Sequence, residues 1–357
     1  MKTGITNLPL HYGKAPSWLF GRMKNLAREI TIVIVGEFGP EEMLKKLSDP
    51  FWFQAFGCVL GFDWHSSGLT TTVCGALKEG IKGLEKELNL FVAGGKGKMS
   101  RQTPLEIENH CEAISLDPNN LVYASKMSAK IDSAAIQDGY QLYHHCFFFT
   151  GKGDWGVIQQ GMNETNRFAR RYHWLSRGLE DFVCEPHSAI CCDLKGETLN
   201  MVAKDSGDAR EIVTSISTEK PHIIESEIVK LQRLDLPNRH HILLSDLNSN
   251  RLKKILLETY DRQPKDFESL LGIKGVGPKT VRSLSLISEL VYGVKSSFSD
   301  PARFSFAHGG KDGYPYPVDR KNYDQSIKFL KESISLAKIG NDDKLNAIRR
   351  LNKMTYQ

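Results

Sequence analysis

The sequence predicts a mixed α/β protein of the α+β kind, with an N-terminal domain over residues 1–205 and a mainly helical C-terminal domain over residues 218–357. Apolar and aromatic residues fill 142–150 and, after a glycine turn, 155–160, which indicates a β-hairpin with one buried face. From residue 221 onward, apolar residues recur almost throughout at helical spacing. These two patterns together predict strands in the first part of the chain and helices in the second.

The elements before the β-hairpin are mainly helical in pattern. Residues 17–34 form an amphipathic segment, 40–47 a short helix, and 69–88 a helix. A short strand at 90–93 then leads into a turn at 94–100 that contains three glycines and two lysines, Lys96 and Lys98. Because a glycine-rich turn between a strand and a helix can hold a phosphate, we expect these lysines to contact nucleic acid, although a solvated basic loop fits as well.

After the β-hairpin, the spacing predicts a helix through residues 166–181. Residues 195–217 are polar and poorly patterned, so we place the domain boundary there. The predicted C-terminal helices cover 223–234, 246–260, 265–292 with an internal turn, and 324–351.

Composition limits the class of protein. The chain has 357 residues, 40% hydrophobic and 25% charged, which is typical of a soluble globular protein. The net charge of +5 permits nucleic-acid binding without requiring it. We expect no membrane span and no signal peptide, and seven scattered cysteines favour reduced thiols in a cytoplasm.

The segment around Gly275-Val276-Gly277 is the most informative motif. Two glycines flank a valine in a tight turn, and Pro278 follows where a helix begins. This arrangement over residues 265–292 resembles the helix-hairpin-helix motif of DNA repair and recombination proteins, although Val281 stands where a smaller residue is common. An ordinary helical hairpin, or one used for protein contacts, is the alternative.

The resemblance implies contacts with the DNA backbone without sequence preference. A helix N-terminus attracts anions, glycine lets the backbone approach them, and lysines add positive charge. The residues that we expect to bind nucleic acid here are Lys274, Gly275, Val276, Gly277, Lys279 and Thr280.

A second group of polar residues gathers in the N-terminal part, near the β-hairpin. A carboxylate before a hairpin with polar side chains on the returning strand is how several metal-dependent nuclease folds build their sites. The candidate catalytic residues are Asp63, His65, Asp138, His144, His145 and His173. Asp63 and Asp138 would hold Mg²⁺ or Mn²⁺, and Arg170 and Arg171, on the next predicted helix, would contact phosphates.

Two observations leave alternatives to that hypothesis. The second strand carries Gln159-Gln160-Gly161 rather than the Glu-x-Lys of such nucleases, and only one of His144 and His145 can face a given side of the sheet. Each histidine can equally be a hydrogen-bonded structural side chain.

Two further constellations have weaker support. The cysteines and histidine of residues 184–192 have metal-like intervals, but zinc is unlikely because no second ligand pair lies nearby. Lys279 and Asp300 fall where the helix-hairpin-helix DNA glycosylases carry their amine nucleophile and aspartate. That resemblance implies a glycosylase or AP lyase, with Asp300 as a plain helix cap and Lys279 as a phosphate contact in the alternative.

Six stretches together resemble the uncharacterised prokaryotic, largely archaeal, family catalogued as domain of unknown function 763. They are LPLHYGK (8–14), DWHSSG (63–68), QDGYQLYHH (137–145), QQGMN (159–163), RRYHW (170–174) and HGGKDG (308–313). The resemblance covers most of the chain and implies that the N-terminal part is more than a scaffold.

The sequence therefore predicts a cytoplasmic enzyme that processes or repairs DNA. The leading hypothesis is a metal-dependent nuclease, a hydrolase of phosphodiester bonds, delivered to DNA by the helix-hairpin-helix. The alternatives are the glycosylase or lyase and a non-catalytic DNA-binding adaptor.

Overall fold

The protein has an α+β fold, mainly helical with a small antiparallel sheet. The structure, a computed structural model, describes residues 16–62, 67–192, 194–231, 250–304 and 320–355. Within these ranges, no helix combines the length and the apolar character that a membrane span needs.

Helices dominate the chain before the first strand. Those described are α1 (Ser17–Phe38), α2 (Pro40–Ser48), α3 (Pro50–Leu60), α4 (Gly68–Gly80) and α5 (Glu85–Leu88). A proline opens both α2 and α3, where its missing N–H costs nothing. The single helix predicted at 69–88 is wrong, because the chain leaves α4 at Gly80 and passes through Gly83 at φ +87° before α5.

Among the described residues, the main sheet has five antiparallel strands in the order β1-β3-β4-β5-β6. Its strands are β1 (Leu90–Lys96), β3 (Gln141–Thr150), β4 (Trp155–Asn163), β5 (Phe168–Leu175) and β6 (Ala189–Cys191). A separate pair joins β2 (Ile136–Gln137) to β7 (Leu199–Asn200). Between β3 and β4 the chain turns at residues 151–154, as the sequence pattern predicts.

The helix predicted over residues 166–181 is wrong, because this segment forms β5. All residues from Ala169 to Trp174 are buried, since β5 lies inside the sheet with both of its faces covered. A strand buried on both faces lacks the alternation of apolar and polar residues that identifies a half-exposed strand. The periodicity of the sequence therefore did not distinguish it from a helix.

Helices cover both faces of the sheet. Phe147 and Phe149 of β3 pack on one face, which α6 (Thr103–Ile114) and α7 (Asn119–Lys130) cover. Cys146 and Phe148 point to the opposite face, which α1 to α4 cover. This alternation along β3 separates the two apolar cores.

The C-terminal helices are shared between the two cores. Those described are α8 (Gly207–Ser217), α9 (Pro221–Leu231), α10 (Asn250–Arg262), α11 (Phe267–Gly272), α12 (Pro278–Tyr292), α13 (Arg320–Leu336) and α14 (Asn341–Thr355). Buried residues of α8 to α12 continue the core that contains Phe147, whereas those of α13 and α14 join the core that contains Phe148. The division into domains at 1–205 and 218–357 stays a prediction.

Candidate functional site

The turn between α11 and α12 has the backbone that its glycines predict. A capping box between Asp266 and Ser269 begins α11, and the Val276 amide donates to the Ile273 carbonyl at 3.2 Å across the turn. Gly275 has φ +99°, a conformation that side chains disfavour. The fully buried Val276 side chain anchors the turn in the core.

The start of α12 is open to solvent. Gly277 is its N-cap, and a Cβ built there would meet nothing closer than the Gly275 carbonyl oxygen at 3.7 Å. Lys274 and Lys279 are both exposed. The Thr280 side chain is buried, so only its backbone amide is placed to contact an anion.

The first turn of α12 is fixed to the small β2–β7 pair. Gln137 of β2 donates through Nε2 to the Pro278 carbonyl at 2.8 Å and accepts through Oε1 from Arg282 Nε at 2.6 Å. These contacts hold the open helix end in a fixed position relative to the sheet.

A cleft of about 250 Å³ lies where β1 ends beside β3. It brings together several of the candidate residues, because Gly95 pairs with His145 and Lys96 with His144. The lining residues are Ser100, Arg101, Pro104, Ser125, Lys126, Ala129, Leu142, His144, His145 and Gln159. Lys96 and Lys98 are exposed on the same β1 turn, as the phosphate prediction requires.

A chain of hydrogen bonds leads from this cleft into the protein. Ser125 Oγ lies 2.9 Å from His145 Nε2, and His145 Nδ1 lies 2.9 Å from Gln159 Oε1. Gln159 Nε2 donates to Asp132 Oδ2 at 2.5 Å, and Asp132 also binds His187 Nε2 at 2.5 Å. All five side chains are buried or nearly so.

This chain fixes the tautomer of His145. Because Asp132 takes the amide N–H of Gln159, the Gln159 oxygen faces His145 and accepts from its Nδ1–H. The Nε2 lone pair is then directed at the Ser125 hydroxyl, which donates to it. A hydroxyl, a histidine base and a third group that orients the base are the arrangement of nucleophilic catalysis.

The charge state of His145 suits a base. Burial lowers its pKa below the ordinary histidine value, so the ring is neutral at pH 7. The sequence marks His145 as a candidate and Gln159 as a polar residue on the returning strand, but it does not mark Ser125 or Asp132. Nothing in their spacing marks them, because α7 and the π-helical turn after it, Ile131–Ala135, bring them to the strand from outside the hairpin.

Asp138 and Arg170 form a buried ion-pair network with Asp300. Arg170 donates through Nη1 to Asp138 at 3.0 Å and through Nη2 to Asp300 at 2.7 Å, and Tyr172 donates to Asp138 at 2.6 Å. Gly196 N also donates to Asp300, at 2.9 Å. Burial raises the pKa of Asp138 despite the nearby guanidinium.

The contacts within this network differ from the roles that the sequence predicts for Asp138, Arg170 and Asp300. The Asp138 carboxylate is committed to an arginine and a tyrosine rather than placed as a ligand for Mg²⁺ or Mn²⁺. Arg170 is 1% exposed and therefore lies away from any surface that DNA could reach. Asp300 accepts from the Ala302 amide and pairs with Arg170 rather than standing free as a glycosylase acid. The helix-cap alternative is also wrong, because residues 301–304 are not helical.

Arg171 and His173 are also structural in this arrangement. Arg171 is fully buried and donates to His173 Nε2 at 2.8 Å and to Gln54 Oε1 at 3.1 Å. His173 Nδ1 binds the Leu47 carbonyl at 3.0 Å, and burial lowers its pKa well below the ordinary value. The predicted phosphate contact of Arg171 and catalytic role of His173 are therefore replaced by packing inside the sheet. Asp63 and His65 lie outside the described residues.

The segment at 184–192 separates its possible ligands. Cys184 is half-buried, Cys191 and Cys192 are buried, and His187 is hydrogen-bonded to Asp132 rather than directed at a thiol. Cys191 and Cys192 are neighbours, with Cys191 on β6, and the Cys192 thiol lies 3.3 Å from the Tyr140 hydroxyl.

Comparison with known proteins identifies the family. A family model described as "Protein of unknown function (DUF763)" matches residues 4–318. The chain belongs to this family. The resemblance that the six sequence stretches indicated is thus confirmed, and the matched span contains both the cleft and the α11–α12 turn. No curated protein and no solved structure matches the chain.

Proposed function

We propose that this protein binds the DNA backbone, without sequence preference, through the turn from Lys274 to Thr280. The observation that carries the proposal is the open N-terminus of α12, where Gly277 leaves room for a phosphate. The helix end supplies backbone N–H groups and partial positive charge, and Lys274 and Lys279 flank it in solvent. Phosphate contacts of this kind position a nucleic acid and read no bases.

We also propose that the cleft at His145 acts on the bound DNA as a phosphodiesterase site. Helix α7 links the two places, because Tyr123 contacts Glu268 of α11 and Ser125 binds His145. Tyr123 and Ser125 lie on opposite sides of α7, so one helix contacts both α11 and the cleft. Arg101 and Lys126 at the cleft supply charge for a phosphate.

The support for the alternatives differs. A nuclease that depends on Mg²⁺ or Mn²⁺ now requires ligands other than Asp138, because that carboxylate is ion-paired. A glycosylase or lyase would have to release Asp300 from Arg170. A non-catalytic DNA-binding adaptor needs only the open helix end.

The binding proposal is tested with Gly277→Val. The backbone at Gly277 is extended and the new Cβ would meet only ordinary van der Waals contact, so the fold is expected to persist. The added side chain would occupy the space where a phosphate approaches, and we expect at least tenfold weaker binding to labelled duplex DNA. Gly272→Val, at a glycine with nothing within 4 Å, is the matched control and should bind as the wild type does. Equal affinity of the two folded variants contradicts the proposal.

The catalytic proposal is tested on labelled duplex, branched and abasic DNA with Mg²⁺, Mn²⁺ or EDTA. Cleavage that is lost in Ser125→Ala and in His145→Gln, with DNA binding retained, supports the cleft. Metal-independent cutting at abasic sites that borohydride traps, and that Lys279→Ala abolishes, supports the lyase instead. Binding without cleavage on every substrate leaves the adaptor.

A further inference from the structure

A cluster of soft metal-ligating groups lies on the face of the sheet opposite to His145. His144 and Cys146 are two residues apart on β3, so they share a face, and Cys74 of α4 covers them. The imidazole and the two thiols lie within 4.8 Å of one another, and all three residues are buried.

His144 differs from the other buried histidines of the sheet. Both ring nitrogens of His145 and of His173 have hydrogen-bond partners. Neither Nδ1 nor Nε2 of His144 has one among the described residues, although the side chain is 1% exposed. Gln160, its register partner on β4, has an Oε1 that is equally buried and without a partner there.

Unsatisfied buried polar atoms are costly, about 1–3 kcal/mol for each, so native proteins rarely keep several together. Three such atoms on adjacent strands, beside two thiols, therefore indicate a ligand. Cys74 and Cys146 are both free, so a disulfide does not occupy them.

We propose that Cys74, His144 and Cys146 bind one thiophilic d¹⁰ metal ion, zinc(II) or copper(I). Metal–sulfur bonds of about 2.3 Å and metal–nitrogen bonds of about 2.0 Å place such donors about 4 Å apart, which small side-chain rotations reach from the present arrangement. Thiols and imidazole select these ions over Mg²⁺ and Mn²⁺, which prefer oxygen ligands. Three protein ligands leave a further position in the coordination sphere of the ion.

The protonation states of the three ligands determine how many protons leave when the metal ion binds. Burial lowers the pKa of His144 to about 3, so the ring is neutral and already in its ligand form. Burial raises the pKa of the Cys74 thiol, and binding as thiolates releases one proton from each cysteine to solvent. The two thiolates balance the charge of zinc(II). With copper(I) they leave one net negative charge. This charge lies near the buried Arg171 guanidinium, whose positive charge favours the Cys74 thiolate.

The site would join α4 to β3. It differs from the 184–192 segment, for which the sequence made zinc unlikely. It rests on no part of the proposed DNA function, and its test does not use DNA.

The experiment uses the full chain, without a histidine tag, purified under reducing conditions. Metal content is measured by mass spectrometry as isolated, and again after equilibration with zinc(II) or with copper(I) and removal of excess. We expect one equivalent of one of these ions per chain. Cobalt(II) in place of zinc is expected to give the thiolate-to-metal charge-transfer absorption of a cysteine-ligated site.

Cys74→Ser and Cys146→Ser are expected to lose the tightly held ion and the absorption band. Cys111→Ser is the matched control, since Cys111 is also buried but belongs to the other core. The metal content after separate equilibration with zinc(II) and with copper(I) shows which of the two ions the site holds. A wild-type protein that retains neither ion at one equivalent, or a Cys111→Ser variant that loses it as the other two do, overturns the proposal. The wild-type measurement decides even where a variant does not fold.

Discussion

Arg170 is the residue whose replacement most directly tests the buried network. Its side chain and that of Asp138 are 1% exposed, and Asp300 is 4% exposed. Arg170→Met keeps much of the volume but leaves two carboxylates buried without their cation. Removing one partner of such a pair costs about 3–5 kcal/mol, because the remaining charge is left uncompensated.

The pH dependence of this loss has a definite sign. Burial already raises the pKa of Asp138, and removal of the guanidinium raises it further. A carboxyl whose pKa is raised by folding favours the folded state below its unfolded value of about 3.9, and that advantage disappears as pH rises through the folded value. The stability gap between Arg170→Met and the wild type is therefore larger at pH 8 than at pH 5.

Urea unfolding followed by circular dichroism at pH 5 and pH 8 measures both effects. Arg177→Met is the matched control, since Arg177 forms an exposed ion pair with Asp154 and its loss is expected to leave the urea midpoint unchanged. Wild-type stability of Arg170→Met, or an equal loss at the two pH values, would refute the assignment of Arg170 to a buried ion-pair network.

Two further predictions concern the cleft. A Cβ at Gly94 would lie 2.3 Å from the His145 carbonyl oxygen and 2.4 Å from Thr103 Oγ1, so Gly94→Ala is expected to destabilise the protein far more than Gly83→Ala. Gly83 has nearly the same φ, but a Cβ there would meet open space. Gly83→Ala should therefore lower the free energy of unfolding, measured by heat or urea, by only about 1–2 kcal/mol. If His145 is the base for DNA cleavage, its lowered pKa keeps it neutral in mild acid, and the rate should fall only below pH 6.5. A cleavage rate that already falls with acid above pH 6.5 would exclude this role. So would a Ser125→Ala variant that cleaves DNA with the same pH–rate profile as the wild type.

Several elements were predictable because local chemistry determines them. The Gly-Val-Gly turn, the proline that opens α12 and the strands on either side of 151–154 follow from backbone preference and short-range pattern. The pairing of neighbouring strands is a local event, so the residues of β3 and β4 were placed correctly.

The predictions that proved wrong concern residues whose contacts are distant in sequence. The sequence pattern of β5 predicts a helix, because burial on both faces removes the alternation of apolar and polar residues that marks a strand. Arg170 was assigned to phosphate because no pattern reveals that Asp300, 130 residues away, accepts its hydrogen bond. Ser125 and Asp132 were missed for the same reason, since only tertiary packing brings them to His145 and Gln159.

The proposed backbone contact at the α12 turn is tested most directly by the salt dependence of DNA affinity. Each lysine–phosphate contact contributes a slope of about −0.9 to log K against log salt, so Lys274→Gln with Lys279→Gln should flatten the wild-type slope by about 1.8. The exposed pair Lys82→Gln with Lys86→Gln, far from the turn in sequence, should leave it unchanged. A wild-type protein that shows no saturable DNA binding at low salt, or a slope that the two lysines of the turn do not affect, would contradict the account.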